Sequence, residues 1–118
     1  MPTRSDFNVV PVRQTFNSGN NSFVSTFPIE GTTIVDDGYL VMQIRGVGEP
    51  GSHRIVLNGQ NIEFDFRPAP GASQAWLAWM TTFAPGVLRS GSNRIEIKRI
   101  GSDNFEVRDI VVNWRERD

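Results

Sequence analysis

The chain has 118 residues, a formal net charge of −1 and no cysteine. Val and Ile together number 21 against nine Leu and Ala, and this excess of β-branched side chains predicts an all-β protein rather than a helical bundle. The nearly balanced charge argues against binding to nucleic acid or to an anionic membrane, no apolar run is long enough to span a bilayer, and the lack of cysteine excludes disulfides and thiol catalysis.

Residues 1–118 are predicted to form a single domain, because a chain of this length buries enough surface for one hydrophobic core but not for two. The charged ends, residues 1–6 and 115–118, are expected to fray. The N-terminus lacks the apolar segment of a secretion signal, so a cytoplasmic location is the simplest prediction.

The first predicted strands are short and separated by turns. Residues 7–12 have strand composition, but Pro11 cannot donate a ladder hydrogen bond and therefore predicts an edge strand or a bulge. Residues 23–29 and 32–35 follow as two strands. The triplet Asp-Asp-Gly at 36–38 is typical of a turn and is predicted to close them.

Residues 39–47 show the best strand alternation. One set of alternate residues is apolar and is predicted to face the core: Leu40, Met42 and Ile44. The other set is predicted to face solvent: Tyr39, Gln43 and Arg45.

The pair Asn58-Gly59 predicts a β-hairpin, because both residues accept the positive φ that a type I′ turn requires. Counting outward from this turn pairs Leu57 with Gln60 and His53 with Phe64. This register places Arg54 opposite Glu63 on the solvent face, where Asp65 is also expected. It places five apolar residues on the buried face: Ile55, Leu57, Ile62, Phe64 and Phe66.

Residues 67–71 are predicted to be a loop, and the following segment 75–83 fits either a helical or a strand pattern. A strand is favoured because the segment is short and its surroundings are β-rich. Trp76 and Trp79 then fall on opposite faces, so that one of them leaves the core. The alternative is that both lie in the core.

Two further strands complete the pattern, at residues 94–100 and 105–114. In the last strand the apolar period slips by one residue, and a β-bulge near Arg108 and Asp109 would return all its apolar side chains to one face. About eight short strands separated by turns predict an antiparallel β-sandwich or jelly roll.

Residues 39–114 resemble the galactose-binding-like jelly rolls that occur as carbohydrate-binding modules and as accessory domains of glycoside hydrolases. The resemblance rests on the hairpin at Leu57-Asn58-Gly59, the Trp-containing strand after it, the pattern Leu-x-x-Gly-x-Asn-x-Ile-x-Ile at 88–97 and the final strand that begins at 103. It implies that Leu88 anchors a loop, Gly91 permits its turn, Asn93 ties it and two Ile enter the core. It transfers no ligand residues, because these lie in variable loops.

Five residues are candidates for binding a ligand. Flat aromatic faces stack on sugar rings, which singles out the two Trp of 75–83 and a Tyr. The outward Arg and the single His of the chain complete the set: Trp76, Trp79, Tyr39, Arg45 and His53. The alternative for His53 is a structural or surface role.

Calcium is the one cofactor the sequence suggests, because loop carboxylates hold this ion in many jelly rolls. The candidate ligands are Glu30, Asp36, Asp37 and Asp103. No other cofactor is expected.

These observations favour a non-catalytic binding module for a carbohydrate. The alternative is a structural or assembly subunit that contacts copies of itself or another protein. An enzyme is disfavoured, because a nucleophile-and-base arrangement is missing and the adjacent Asp36 and Asp37 are better explained as turn residues.

Overall fold

The computed structural model describes residues 3–67 and 74–117. Eight strands run in chain order, with one short 3-10 turn at Pro85–Val87 between the sixth and seventh. The strands are β1 (Arg4–Phe16), β2 (Ser22–Ile29), β3 (Thr33–Arg45), β4 (His53–Leu57), β5 (Gln60–Glu63), β6 (Leu77–Phe83), β7 (Gly91–Arg99) and β8 (Phe105–Arg117).

The strands form two four-stranded sheets, in the order β1-β8-β3-β6 and β2-β7-β4-β5. Each strand pairing is antiparallel. Apolar side chains from the inner faces of both sheets form one buried cluster. The predicted all-β sandwich of about eight strands is therefore confirmed. Most of the predicted loop at 67–71 lies outside the described residues.

The bulge predicted in the last strand is present. Asp109 adopts a φ of 48°, and β8 has one more residue than β3 between the pairs Val41–Val111 and Gln43–Arg108. The apolar residues on either side of the bulge are all at most 4% exposed: Phe105, Val107, Ile110, Val112 and Trp114. The extra residue therefore restores one buried face, as the slipped period requires.

Both structural consequences predicted for Pro11 occur together. β1 is an edge strand, and its register with β8 shifts between Val10 and Arg13, the interval that contains Pro11. After this shift, Arg13 lies opposite Arg108.

The predicted turn at residues 36–38 is wrong, because β3 continues through it. Asp36 has a φ of 60°, and the pairing of β3 with β8 is interrupted between Val35 and Tyr39. Gly38 is buried, and a Cβ there would lie 2.7 Å from the Asn113 carbonyl oxygen and 2.5 Å from the Phe83 ring. Glycine therefore permits close packing inside a bulged strand, rather than a chain reversal.

The Asn58-Gly59 hairpin forms, but the predicted register holds for only two residue pairs. Leu57 pairs with Gln60 and Val56 with Asn61, after which a bulge pairs Ile55 with Glu63. Because a shift of one residue reverses the faces, Phe64 is 61% exposed and Asp65 is buried, both contrary to the prediction. Phe66 lies beyond the end of β5 and is buried, as predicted.

The predicted Arg54–Glu63 pair is replaced by two other contacts. The Arg54 guanidinium lies 5.1 Å from the centroid of the Phe64 ring, and Glu63 accepts a hydrogen bond from the Trp79 indole at 3.1 Å. The bulge has therefore turned Glu63 toward the side of the sheet that faces the core.

Side-chain hydrogen bonds join the first and last strands near the two ends of the chain. Arg4 donates to Glu116 at 2.6 Å, and Trp114 donates to the same carboxylate at 2.7 Å. Glu116 is only 4% exposed. Residues 4–6 pair with residues 114–116 at one end of the β1–β8 ladder. The expected fraying of 1–6 and 115–118 stays a prediction.

No helix in the described part of the chain is long and apolar enough to cross a membrane.

Candidate functional site

Trp76 lies just before β6, on the outer face of the first sheet. Its half-buried indole is contacted by two guanidinium groups, with the Arg45 Cζ 4.6 Å and the Arg108 Cζ 4.2 Å from the ring centroid. Such cation–π contacts hold an aromatic side chain in a defined orientation.

Trp79 lies on the opposite face of β6 and packs against the core. Its ring centroid is 5.6 Å from that of Phe66, and its indole nitrogen donates to Glu63. The strand reading of 75–83 is thus confirmed, together with its consequence that the two Trp separate.

A groove of about 310 Å³ surrounds Trp76. Its lining comes from β1, β3, β8 and the residue before β6: Arg13, Gln14, Thr15, Arg45, Trp76, Glu106, Val107 and Arg108. A neighbouring depression of about 370 Å³ shares Thr15, Arg45 and Glu106 and extends to Gly46, Gln74 and Asn104 at the end of the sandwich. The groove and the depression together form a continuous polar surface, which we call the Trp76 groove.

Of the three arginines that line the Trp76 groove, one forms an ion pair with a described residue and two do not. Arg45 donates from Nε and Nη2 to one oxygen of Glu106, at 3.1 and 2.7 Å. Arg13 and Arg108 lie directly opposite each other on β1 and β8 and form no ion pair with any residue that the structure describes.

Tyr39 occupies the same outer sheet face but not the Trp76 groove. It is 42% exposed and lies between Thr82 and Asn113 of the neighbouring strands. Exposed apolar residues surround this half of the face: Phe7, Val9 and Met80. Of the five predicted ligand residues, the structure therefore brings together only Arg45 and Trp76.

His53 is fully buried and is thus remote from any ligand surface. Its Nδ1 lies 2.5 Å from Asp65 Oδ1, and its Nε2 lies 2.7 Å from Asp103 Oδ2. Both ring nitrogens are therefore within hydrogen-bond distance of a buried carboxylate. The Phe66 amide also approaches Nδ1, but at 3.4 Å this contact is much longer than that of Asp65.

The buried His53 cluster, defined by His53, Asp65 and Asp103, connects three loops. The Gly51 amide donates to Asp65 at 2.9 Å, and the Gly48 amide donates to Asp103 at 3.1 Å. The cluster therefore fixes the loops whose neighbouring residues, Gly46 and Asn104, border the Trp76 groove.

Burial raises the pKa of Asp65, but the Gly51 amide, the His53 ring and the Arg67 guanidinium more than offset this effect. The pKa of Asp65 therefore lies below its ordinary value of 3.8. The carboxylate form is the one that the folded state stabilises.

The four predicted calcium ligands do not form a set. Asp36 and Asp37 lie in the bulge of β3, Glu30 follows β2, and Asp103 is bonded to His53. Across residues 3–67 and 74–117, no group of three or more His, Asp or Glu side chains is arranged to hold a metal ion. Calcium binding stays an untested prediction.

Three charged residues of the Trp76 groove were not among the candidates from the sequence: Arg13, Glu106 and Arg108. Because Arg108 follows the inward-facing Val107, just before the predicted bulge, the sequence does predict that its side chain faces outward. The sequence makes no such prediction for Arg13, because its alignment with Arg108 depends on the register shift around Pro11.

Comparison with solved structures shows that this fold is shared with carbohydrate-binding modules. A family 35 carbohydrate-binding module from Clostridium thermocellum aligns with a TM-score of 0.59 and 19% identity, over 95% of this chain and 98% of that chain. A family 35 module from an environmental isolate gives a TM-score of 0.58 and 18% identity, over 77% of this chain and 64% of that chain. The resemblance to jelly-roll modules is therefore confirmed at the level of the fold.

Another structural relative is dimeric latent PorU from Porphyromonas gingivalis, with a TM-score of 0.69 and 14% identity. The alignment covers 98% of this chain, which spans only 13% of the length of that PorU chain. Comparison with curated protein sequences gives no significant match. A family profile, in contrast, matches residues 5–116, and the chain thus belongs to the family described as "Family of unknown function (DUF7383)".

Proposed function

We propose that this protein is a non-catalytic binding module that takes a carbohydrate in the Trp76 groove. The observation that carries the proposal is the indole of Trp76, which lies on the solvent side of the sheet and is held by Arg45 and Arg108. An aromatic face that is already oriented loses little conformational entropy when a sugar ring stacks on it.

The lining of the Trp76 groove supports this proposal. Thr15 is exposed and provides a hydroxyl group that can hydrogen-bond to a sugar. The part of the groove around Trp76 has a volume of about 310 Å³, which lies at the lower end of the range typical of small-molecule sites, roughly 300–1,000 Å³. The likeness in fold to family 35 carbohydrate-binding modules is consistent with such a ligand.

The acidic residues support binding rather than hydrolysis. Glycosidases generally require two carboxyl groups that flank the bond to be cleaved. Among the described residues, the Trp76 groove is lined by one carboxylate, Glu106, and this group is bonded to Arg45.

Replacement of Trp76 by alanine is expected to weaken saccharide binding at least about tenfold, since loss of its apolar contact area costs ~1.4 kcal/mol or more. The measurement is a glycan array followed by calorimetric titration of the saccharides that bind. Phe64→Ala is the matched control, because Phe64 is also an exposed aromatic stacked against an arginine but lies outside the groove. If no saccharide binds the unaltered protein, or if Trp76→Ala binds normally, the proposal fails.

Assembly is a second candidate function, and a different observation favours it. Exposed apolar residues of β1, β3 and β6 form a strip across the other half of the same sheet face: Phe7 at 60%, Val9 at 46%, Tyr39 at 42% and Met80 at 60% exposed. A contiguous apolar patch of this kind often marks a protein interface, and a second copy of this chain would present the same strip.

If this strip joins two copies, light scattering over a concentration series will show a dimer, and Met80→Glu will restore the monomer by placing a charge in the apolar contact. Val24→Glu is the control, since Val24 is also an apolar strand residue, 46% exposed, but lies on the other sheet. A monomer at all concentrations would exclude self-assembly through this face.

A further inference from the structure

We infer that the saccharide in the Trp76 groove is anionic, and that Arg13 and Arg108 bind its negative substituent, a carboxylate or a sulfate. The inference rests on the proposed function and specifies its ligand class.

Two arginines face each other on the outer side of the sheet without a compensating anion. The strand register places Arg13 opposite Arg108, and continues across the sheet to Gln43 and Ala78. Like charges at directly opposed positions destabilise a sheet. This pair therefore has a cost in the unliganded fold that an anionic ligand would relieve.

The carboxylate of the next row does not neutralise this pair. Glu106 lies between Thr15 and Arg45 in the register, and Arg45 donates two hydrogen bonds to it. The three arginines and single glutamate of the groove lining leave an excess of two positive charges. Because the whole chain has a net charge of −1, this excess is local to the groove.

Arg108 also has hydrogen-bond donors without partners among the described residues. Its Nε is buried and has no hydrogen-bond partner among the described residues, while its guanidinium is stacked on Trp76. The buried Nε cannot reach a ligand, but the two Nη groups form no hydrogen bond with the described residues and can donate to one. A fixed guanidinium edge matches the paired oxygens of a carboxylate or sulfate.

Trp76 and Arg108 therefore offer two adjacent kinds of contact. The indole lines the groove and provides apolar surface for a sugar ring, and the guanidinium groups provide donors beside it. A neutral saccharide would use only the first contact. A saccharide with an acidic substituent would use both.

Calorimetric titration with a disaccharide that ends in glucuronate, with its methyl ester, and with the corresponding glucose-terminated disaccharide tests this inference. We expect the glucuronate form to bind at least tenfold more tightly than the two neutral forms. A sulfated disaccharide of the same backbone forms a fourth arm, and tighter binding of it than of the glucuronate identifies the substituent as sulfate.

Arg13→Gln is expected to reduce binding of the anionic form about tenfold and to leave binding of the methyl ester unchanged. Arg108→Gln is expected to weaken binding of the anionic form more than binding of the methyl ester, which it also affects because Arg108 holds Trp76. Arg54→Gln is the matched control, because Arg54 also stacks on an aromatic ring and has a buried Nε without a partner, but lies outside the groove. Since Arg13→Gln removes a like-charge contact, its thermal midpoint is expected not to fall, which separates a binding role from a structural one.

Two outcomes overturn the inference, and they are distinguishable. If saccharides bind in a Trp76-dependent way but the neutral and anionic forms bind equally, the inference fails and the proposed function stands. If neither neutral nor anionic saccharides bind, both fail.

Discussion

The His53→Ala variant is expected to lose about 3–5 kcal/mol of unfolding free energy, because it leaves two buried carboxylates without a partner. The His53 ring is fully buried, and both of its nitrogens contact carboxylate oxygens. Without it, Asp65 and Asp103 would each lose this hydrogen-bond partner. Urea unfolding followed by tryptophan fluorescence measures the loss.

Two variants serve as controls for this prediction. Asp65→Asn and Asp103→Asn each remove one charge while they keep the shape of the cluster, so their losses are expected to be smaller than that of His53→Ala. A loss below about 1 kcal/mol for His53→Ala would contradict the hydrogen-bonded description of the His53 cluster.

Acidification provides an independent check. Because the pKa of Asp65 is lower in the folded state than its ordinary value of 3.8, the unfolded chain binds more protons in this range. The stability that Asp65 contributes is therefore present above this value and is lost as the pH falls through its folded pKa. The difference in unfolding free energy between the wild type and His53→Ala is expected to become smaller over the same pH interval.

The second large effect is expected at Asn93, whose replacement by alanine should cost about 2–4 kcal/mol, because four hydrogen bonds of a buried side chain are lost. Asn93 is fully buried; its Oδ1 accepts from Asn58 at 2.8 Å and from the Arg89 amide at 3.0 Å. Its Nδ2 donates to the carbonyl oxygens of Arg89 at 2.8 Å and Gly91 at 3.2 Å.

Asn61→Ala is the control for Asn93→Ala, since Asn61 is exposed on β5 and its side chain forms no hydrogen bond with the described residues. Its effect should stay within about 0.5 kcal/mol. Chemical denaturation of both variants tests the comparison. Equal losses for the two would show that the Asn93 hydrogen bonds do not hold the loop.

The role of Asn93 was predictable because it is local. The pattern at 88–97 implied an anchoring Leu, a Gly at the turn, a tying Asn and two buried Ile. The structure confirms each role, with Leu88 buried, Gly91 at a φ of 96° and Ile95 and Ile97 fully buried. Such features depend on residues a few positions apart, which a sequence shows directly.

The His53 cluster was predictable only in part. His53 shares its parity with Ile55 and Leu57, which indicates a buried position, and a buried polar group needs partners. Those partners come from residues 12 and 50 positions away along the chain. Asp65 was expected to face solvent, and the bulge opposite Ile55 placed it in the core instead.

The sequence by itself determined the class of the fold and most strand positions, because side-chain alternation within a strand is a local property. The tertiary structure decided which side chains meet across strands. One-residue bulges reverse the faces of everything beyond them. Hence the alignment of Arg13 with Arg108, and the contact of both with one groove, exist only in the folded sheet.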